Sequence, residues 1–216
     1  MREIRMCKCK KRATSVALPG GNSALCIHSD LHVLTMEIQP LGPAIGAVVS
    51  HIDLTRPLPL AQRDALHAAL LQHQVLHFEN QPVTPAQQPD LAAQFGPLDL
   101  DPVCRNIPEV PEIIVLDTDD NNPPDNDNWH TDITFTDAPA QAALLSARQL
   151  PPLGGDTLWA SNVAAFEALS APWQRLLSGL NAEHDFVKSF PAWRFARTPE
   201  ERVRWEAAVA KHPPVL

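Results

Sequence analysis

The sequence predicts a domain of short β-strands with peripheral helices, mainly β within the α+β class, and three observations lead to that expectation. The chain has 216 residues and is 44% hydrophobic, which suits one domain with a core and excludes a wholly disordered protein. It holds 22 prolines against 8 glycines, about twice the ordinary proline share of roughly 5%, which indicates short elements joined by stiff connections. Strand-like runs recur between residues 36 and 160, as in a β-sandwich or jelly roll.

The first part of the predicted domain alternates strand and helix patterns. Apolar alternation over 36–41 and the apolar run over 45–49 predict two strands. Residues 60–73 predict a helix because their apolar side chains recur at helical spacing, and strand character returns at 75–78. The apolar face of that helix consists of Ala65, Leu66, Ala69 and Leu70.

Two helix starts are marked by the same local pattern. Thr84-Pro85-Ala86-Gln87 and Thr198-Pro199-Glu200-Glu201 are capping boxes with proline at the first helical position. Pro89 interrupts the first helix, so we expect it to restart with Asp90 as its cap. The second helix is expected to end near residue 210, before a pair of prolines. Extended segments are expected at 112–118, 129–135, 140–147 and 157–160, although propensity alone would also allow a helix at 140–147.

Residues 1–35 differ in composition from the rest of the chain. They carry a net charge of +4, whereas residues 36–216 carry −12, and they hold three of the four cysteines. Their apolar run is too short and too broken for a secretory signal. We expect residues 1–35 to be a disordered or non-native leader, with translation beginning at or near Met36, and residues 36–216 to fold. The alternative is a metal site in the leader, with a spacing unlike the usual zinc patterns, built from Cys7, Cys9, Cys26, His28 and His32.

The charge and hydropathy of residues 36–216 exclude several classes of partner. An acidic body is a poor surface for nucleic acid or anionic membranes. No stretch of the sequence reaches the roughly 18 consecutive apolar residues of a membrane span. Cys104 is the one cysteine of this part, which excludes a disulfide scaffold and favours a reducing compartment. The expected location is therefore the cytoplasm.

The residues most informative about chemistry are His130 and Asp132, which follow a polar loop over 119–128. If the segment is extended, side chains two residues apart point to one face, where an imidazole and a carboxylate can bind one metal ion. They would be two of the three ligands of the facial triad that suits Fe(II). Alone, such a pair is common and mostly marks solvated turn residues. The surrounding motifs therefore decide between the two interpretations.

Several motifs around this pair together resemble the taurine dioxygenase family. They are the run over 123–132 that ends in Trp129-His130-Thr131-Asp132, the segment Gly154-Gly155-Asp156-Thr157, and the segments over 182–186 and 188–191. Residues 41–47 and 53–58 match as well, so the resemblance runs from about residue 37 to the last residue. It implies an Fe(II)- and 2-oxoglutarate-dependent dioxygenase with a double-stranded β-helix (jelly-roll) core.

The resemblance also implies roles for individual residues. His130 and Asp132 would bind the iron, which reacts with O2, and Thr157 would hydrogen-bond a carboxylate of 2-oxoglutarate. The implied reaction hydroxylates taurine or a related small sulfonate and releases sulfite, with succinate and CO2 from 2-oxoglutarate. Homo-oligomerisation is left open, and neither nucleic acid nor membrane is an expected partner. The matched substrate-binding positions are Asn126, Ile133, Phe190, Asp101 and Cys104.

The sequence departs from the family pattern in two respects. Asp101 and Cys104 stand where the family has a histidine and a tyrosine. An ionised Asp101 would repel a sulfonate by about 4 kcal/mol at about 4 Å and an effective dielectric near 20, which leaves a different amine or sulfonate substrate open. The family takes a second iron-binding histidine and a 2-oxoglutarate-binding arginine from segments that would follow Leu216. We therefore expect an incomplete jelly roll, and the alternative function is that of a catalytically incompetent fragment or pseudoenzyme.

Overall fold

The computed structural model describes the protein over residues 2–10, 35–101, 103–118 and 128–216. Its strands are β1 (Arg2–Lys10), β2 (Glu37–Pro40), β3 (Ala47–Ser50), β4 (Leu76–His77), β5 (Asn106–Ile107), β6 (Val110–Thr118) and β7 (Ala140–Gln149). Its helices are α1 (Leu60–His73), α2 (Gln87–Ala93), α3 (Asn162–Glu167), α4 (Ala171–Ser178), α5 (Phe186–Ser189), α6 (Ala192–Phe195) and α7 (Pro199–Lys211). Over these ranges helices hold more residues than strands, so the protein mixes sheet and helix rather than being mainly β. None of these helices is long and apolar enough to span a bilayer.

The strands of the described ranges form two sheets. The larger sheet is antiparallel and has the order β5-β6-β1-β7. The smaller sheet has the order β2-β3-β4, with β2 antiparallel and β4 parallel to β3. The connection from β3 to β4 runs through α1, and a crossover of this length is what parallel neighbours require. The strands predicted over 36–41, 45–49, 75–78, 112–118 and 140–147 are confirmed with shifts at their ends.

The strand β1 lies between β6 and β7 and pairs with both. The sequence predicts a disordered or non-native leader over 1–35. In the structure, nine residues of that segment form the strand β1 and are therefore ordered. The physical reason is that β1 satisfies the facing edges of two strands that do not pair with each other. Residues 11–34, which include Cys26, His28 and His32, lie outside the described residues. The leader metal site and the boundary at residue 36 therefore stay predictions.

Three expectations about local structure are wrong. Residues 157–160 belong to no strand, and neither do residues 129–135, of which 132–135 form a turn. The helix α2 begins at Gln87 with Ala86 at its N-cap and continues through Pro89, so it does not restart at Asp90. Pro89 is tolerated because it lies in the first helical turn, where a backbone N–H has no partner within the helix.

The capping box at the start of α7 is confirmed. Thr198 Oγ1 accepts from the Glu201 N–H at 3.1 Å, and Glu201 Oε2 accepts from the N–H groups of Thr198 and Arg197 at 3.0 and 2.9 Å. The bonds from Thr198 and Arg197 lower the pKa of the Glu201 carboxyl. Because the pKa is lower in the folded chain than in the unfolded one, the stabilisation is complete above the ordinary pKa of glutamate. It is lost as the pH falls through the lowered value.

Thr198→Ala is expected to lower the free energy of unfolding by about 1 kcal/mol, the usual effect of removing an N-cap side chain. Ser170→Ala is the matched control, because Ser170 stands at the N-cap of α4 while its side chain makes no capping bond. Urea denaturation of both variants measures the difference. Equal losses in the two variants would show that the Thr198 hydroxyl does not stabilise α7.

Two clusters of buried side chains lie within the core of the described structure, and β7 connects them. Gln88 is fully buried, and its Nε2 donates to the Leu144 carbonyl at 3.1 Å, which joins α2 to β7. The N-terminal core consists of Leu54, Val83 and Leu91. The C-terminal core consists of Ile133, Phe135, Phe186 and Ala208. Leu144 of β7 packs against the N-terminal core, whereas Ala140 of the same strand packs against the C-terminal core.

Candidate active site

The side chain of His130 is held by the backbone two residues before it. Its Nδ1 lies 2.8 Å from the carbonyl oxygen of Asn128. Because a carbonyl only accepts hydrogen bonds, Nδ1 carries the hydrogen, and the neutral imidazole has its lone pair on Nε2. Metal-binding histidines are commonly oriented in this way, through the ring nitrogen that does not bind the metal. His130 therefore presents Nε2 as a ligand atom.

Asp132 faces that nitrogen. Its Oδ1 lies 3.4 Å from His130 Nε2, and the two side chains are 37% and 55% exposed. Two lone-pair atoms at this distance are stabilised when a proton or a cation lies between them. Two ligands at adjacent positions around a metal ion, each about 2.1 Å from it, are about 3 Å apart. The chemistry and the spacing of the pair therefore fit two ligands of one Fe(II) ion.

The two side chains lie at the start of a turn and not on a strand. Residues 128–139 lie between β6 and β7 and pair with no strand. Ile133 has a φ of 43°, which is left-handed and ends any extended run. The Thr136 N–H donates to the Ile133 carbonyl at 3.3 Å and closes the turn. The predicted strand is therefore wrong, and the turn begins at Asp132 and follows the pair.

The described residues bring no third ligand to His130 and Asp132. Over these ranges no group of three or more histidine, cysteine, aspartate or glutamate side chains is placed to hold a metal ion. His212 instead packs its ring against Phe135 and Phe186, with centroid distances of 5.5 and 5.8 Å. Among the described residues, the predicted metal site therefore consists of His130 and Asp132 alone.

Two of the residues predicted to bind substrate lie together at the C-terminal core. Ile133 is a buried member of that core, and Phe190 packs against it. The Phe190 ring stacks on Phe186 with centroids 5.0 Å apart. Its carbonyl accepts a 2.6 Å hydrogen bond from Trp205 Nε1. The turn that begins at Asp132 is thus attached to an aromatic core contributed by α5, α7 and the residues around them.

Asp101 and Cys104 belong to a turn beside the same core. Asp101 Oδ1 accepts hydrogen bonds from the backbone N–H groups of Val103 and Cys104 at 2.9 and 2.7 Å. Val103 packs against the C-terminal core, and Cys104 is a partly buried cysteine. One carboxylate oxygen of Asp101 is therefore directed into its own turn, which reduces the negative charge that it presents to a substrate.

The remaining predicted site residues are Thr157 and Asn126. Thr157 is exposed and follows Gly154 and Gly155, whose φ values of 71° and 79° are conformations that glycine adopts readily. Asn126 lies outside the described residues. The roles of both residues stay predictions.

A comparison with known protein families decides which enzymes this site resembles. Residues 37–216 match the model of the TauD/TfdA family, described as taurine catabolism dioxygenases. The chain belongs to the TauD/TfdA family. The resemblance predicted from the motifs is therefore confirmed, over the same residues from which it was drawn.

Proteins similar to this TauD/TfdA chain include enzymes and solved structures. The α-ketoglutarate-dependent sulfate ester dioxygenase of Pseudomonas putida is 32% identical over 157 residues, which are 71% of this chain and 50% of that protein. A crystal structure of a taurine dioxygenase from Burkholderia xenovorans is 25% identical with a TM-score of 0.57, covering 84% of this chain and 75% of that one. The crystal structure of AAD-2 in complex with Mn(II) and N-oxalylglycine is 27% identical with a TM-score of 0.59, covering 84% and 62%. The chain spans about half the length of the curated relatives it matches.

Two contacts of this TauD/TfdA site were not predicted from the sequence. The Asn128 carbonyl that orients His130 is a backbone group, and a backbone acceptor leaves no residue signature. The Trp205 N–H that holds the Phe190 carbonyl comes from α7. Helical periodicity can place Trp205 on a face of α7, but the carbonyl that it meets depends on how α7 packs.

Proposed function

We propose that the protein is an Fe(II)- and 2-oxoglutarate-dependent dioxygenase with a jelly-roll core that hydroxylates taurine or a related small sulfonate. The observation that carries the proposal is His130 Nε2 facing Asp132 Oδ1 at 3.4 Å in a chain of the TauD/TfdA family. Similarity to an α-ketoglutarate-dependent sulfate ester dioxygenase and to a taurine dioxygenase supports the reaction class. The chain matches about half the length of its curated relatives, so we also propose, and do not infer from them directly, the activity of the whole protein.

In this proposal the residues of the chain hold and orient the reactants. His130 and Asp132 hold Fe(II), which supplies the redox chemistry with O2 and 2-oxoglutarate when bound. The Asn128 carbonyl keeps the lone pair of His130 on Nε2. Thr157 donates a hydrogen bond to a carboxylate of 2-oxoglutarate. One oxygen atom of O2 enters a substrate C–H bond, and the other enters succinate as CO2 leaves.

The proposed substrate is a small molecule with a sulfonate and, as in taurine, an ammonium group. Backbone N–H groups occupy Asp101 Oδ1, so the repulsion of a sulfonate is weaker than the sequence alone suggests. The same carboxylate attracts an ammonium group. Hydroxylation of the carbon next to the sulfonate leads to release of sulfite and leaves an aldehyde. Asn126, Cys104, Ile133 and Phe190 are the other proposed pocket positions.

Product formation by the purified chain tests this function. With Fe(II), 2-oxoglutarate and O2, we expect taurine to increase succinate formation and to yield sulfite in equal amount. β-Alanine, in which a carboxylate replaces the sulfonate, is the control because it can support succinate formation but contains no sulfur. Succinate without sulfite from taurine or from any other sulfonate would contradict the substrate class while leaving the reaction class intact.

The alternative function is that of a catalytically incompetent fragment or pseudoenzyme. It is favoured by the described residues supplying two metal ligands and no third. Succinate formation that never exceeds the level of an Asp132→Ala variant, with any substrate tried, would decide for this alternative. The cytoplasmic location and homo-oligomerisation stay predictions.

A further inference from the structure

Ile133 has a backbone conformation that β-branched residues rarely adopt. Its φ of 43° lies in the left-handed region, where the Cβ atom crowds the backbone. The other non-glycine residues with positive φ in the described ranges are His51, Gln74 and Asn80, none of which is β-branched. Such a conformation persists only where the surrounding structure imposes it.

The surroundings of Ile133 hold both its side chain and its carbonyl. The side chain is 6% exposed and belongs to the core cluster that contains Phe135 and Phe186. Those two rings pack edge to face at a centroid distance of 5.2 Å. The Ile133 carbonyl accepts from the N–H and the Oγ1 of Thr136 at 3.3 and 3.2 Å. Packing in the C-terminal core and hydrogen bonding within the turn therefore fix the same residue.

Fixing Ile133 determines where Asp132 lies. Asp132 is joined to Ile133 by one peptide unit, so its carboxylate starts from a backbone whose direction Ile133 sets. At the other end of the turn, the Asn128 carbonyl fixes the ring of His130. The 3.4 Å distance between His130 Nε2 and Asp132 Oδ1 thus depends on an anchor on each side.

We propose that Ile133 is a positioning residue for the metal-binding pair. Its burial in the C-terminal core stabilises the left-handed turn that places Asp132 opposite His130. This inference rests on the proposed function, because Ile133 can position metal ligands only if His130 and Asp132 bind a metal ion. It gives Ile133 a role that is exerted through Asp132, and this differs from the substrate contact that the family resemblance implies.

The affinity of the whole chain for Mn(II), measured from the relaxation rate of water protons, tests the proposal. Ile133→Ala is expected to weaken Mn(II) binding by about tenfold or more, the range seen when groups that orient metal ligands are removed. Leu91→Ala is the matched control, because Leu91 is equally buried but lies in the N-terminal core. It is expected to change the affinity by less than about twofold, since distant sites act independently. Ile133→Val keeps the branched Cβ and most of the volume, and is expected to bind within about threefold of the wild type.

The outcomes separate positioning from general destabilisation. Equal weakening in Ile133→Ala and Leu91→Ala would overturn the inference, and so would wild-type affinity in Ile133→Ala. If circular dichroism shows that Ile133→Ala is unfolded, Phe135→Leu takes its place, because it loosens the same core and leaves Ile133 intact. Wild-type affinity in that variant would likewise overturn the inference. A wild-type chain that binds no Mn(II) would overturn the proposed function together with the inference, whereas binding that survives Ile133→Ala overturns the inference alone.

Discussion

Asp132→Ala is expected to abolish both Mn(II) binding at the pair and 2-oxoglutarate-dependent succinate formation. The substitution removes one of the two ligand atoms and leaves His130 Nε2 facing a methyl group. Removing a residue that merely orients a metal ligand typically costs about 10–100-fold in affinity or activity, so loss of the ligand itself should exceed about a hundredfold. Water-proton relaxation with Mn(II) and a succinate assay with Fe(II) measure the two effects on the same preparation.

Two further variants make the result specific to the ligand. Asp137→Ala removes an exposed carboxylate from the same loop and is expected to keep both properties. Asp132→Glu keeps the charge but displaces the carboxylate by one methylene, so it should retain part of the metal binding and lose turnover. Succinate formation at the wild-type rate by Asp132→Ala would remove the pair from the proposed mechanism.

Much of the fold follows from signals that are local in the chain. The helix expected over 60–73 is α1 with the same bounds, because its apolar periodicity lies entirely within it. The capping box of Thr198 and Glu201 forms because its members are three residues apart on one helical turn. The strand expected over 112–118 is most of β6, whose residues Ile113 and Ile114 are buried.

Features that depend on distant partners were not predicted. The strand β1 takes its place from β6 and β7, which lie more than one hundred residues further along the chain. Residues 157–160 have a strand pattern but pair with no strand in the described structure. A strand needs hydrogen-bonding partners, and these are set by topology rather than by the composition of the segment.

In the candidate site, too, the sequence predicted some features, and others depend on distant partners. The family resemblance implies that His130 and Asp132 are metal ligands, and the structure brings their side chains together. The turn that begins at Asp132 was not predictable, because the conformation of Ile133 depends on packing against Phe186 and Ala208, from α5 and α7. Local preference alone disfavours a left-handed isoleucine, so its presence here reflects tertiary packing that overrides the preference of the residue.

Phe186→Ala is expected to lower the free energy of unfolding more than the other alanine substitutions do. Phe186 is 1% exposed, packs edge to face on Phe135 at 5.2 Å, and stacks on Phe190 at 5.0 Å. Truncation removes these contacts and leaves a cavity, which for a buried phenylalanine costs about 3–5 kcal/mol. Urea denaturation measures the loss as a lower midpoint, and an unchanged slope shows that the same transition is observed.

Phe166→Ala supplies the comparison, because Phe166 is a phenylalanine of α3 that is 39% exposed. It is expected to cost less than about 1 kcal/mol. The two variants also test whether the C-terminal core and the turn that begins at Asp132 are connected. Phe186 packs in the same core as Ile133, so Phe186→Ala should weaken Mn(II) binding in the fraction of chains that stay folded, whereas Phe166→Ala should not. A large loss of stability in Phe186→Ala with unchanged Mn(II) affinity would mean that the turn keeps its geometry without the aromatic core. The left-handed conformation of Ile133 would then need another source of stabilisation.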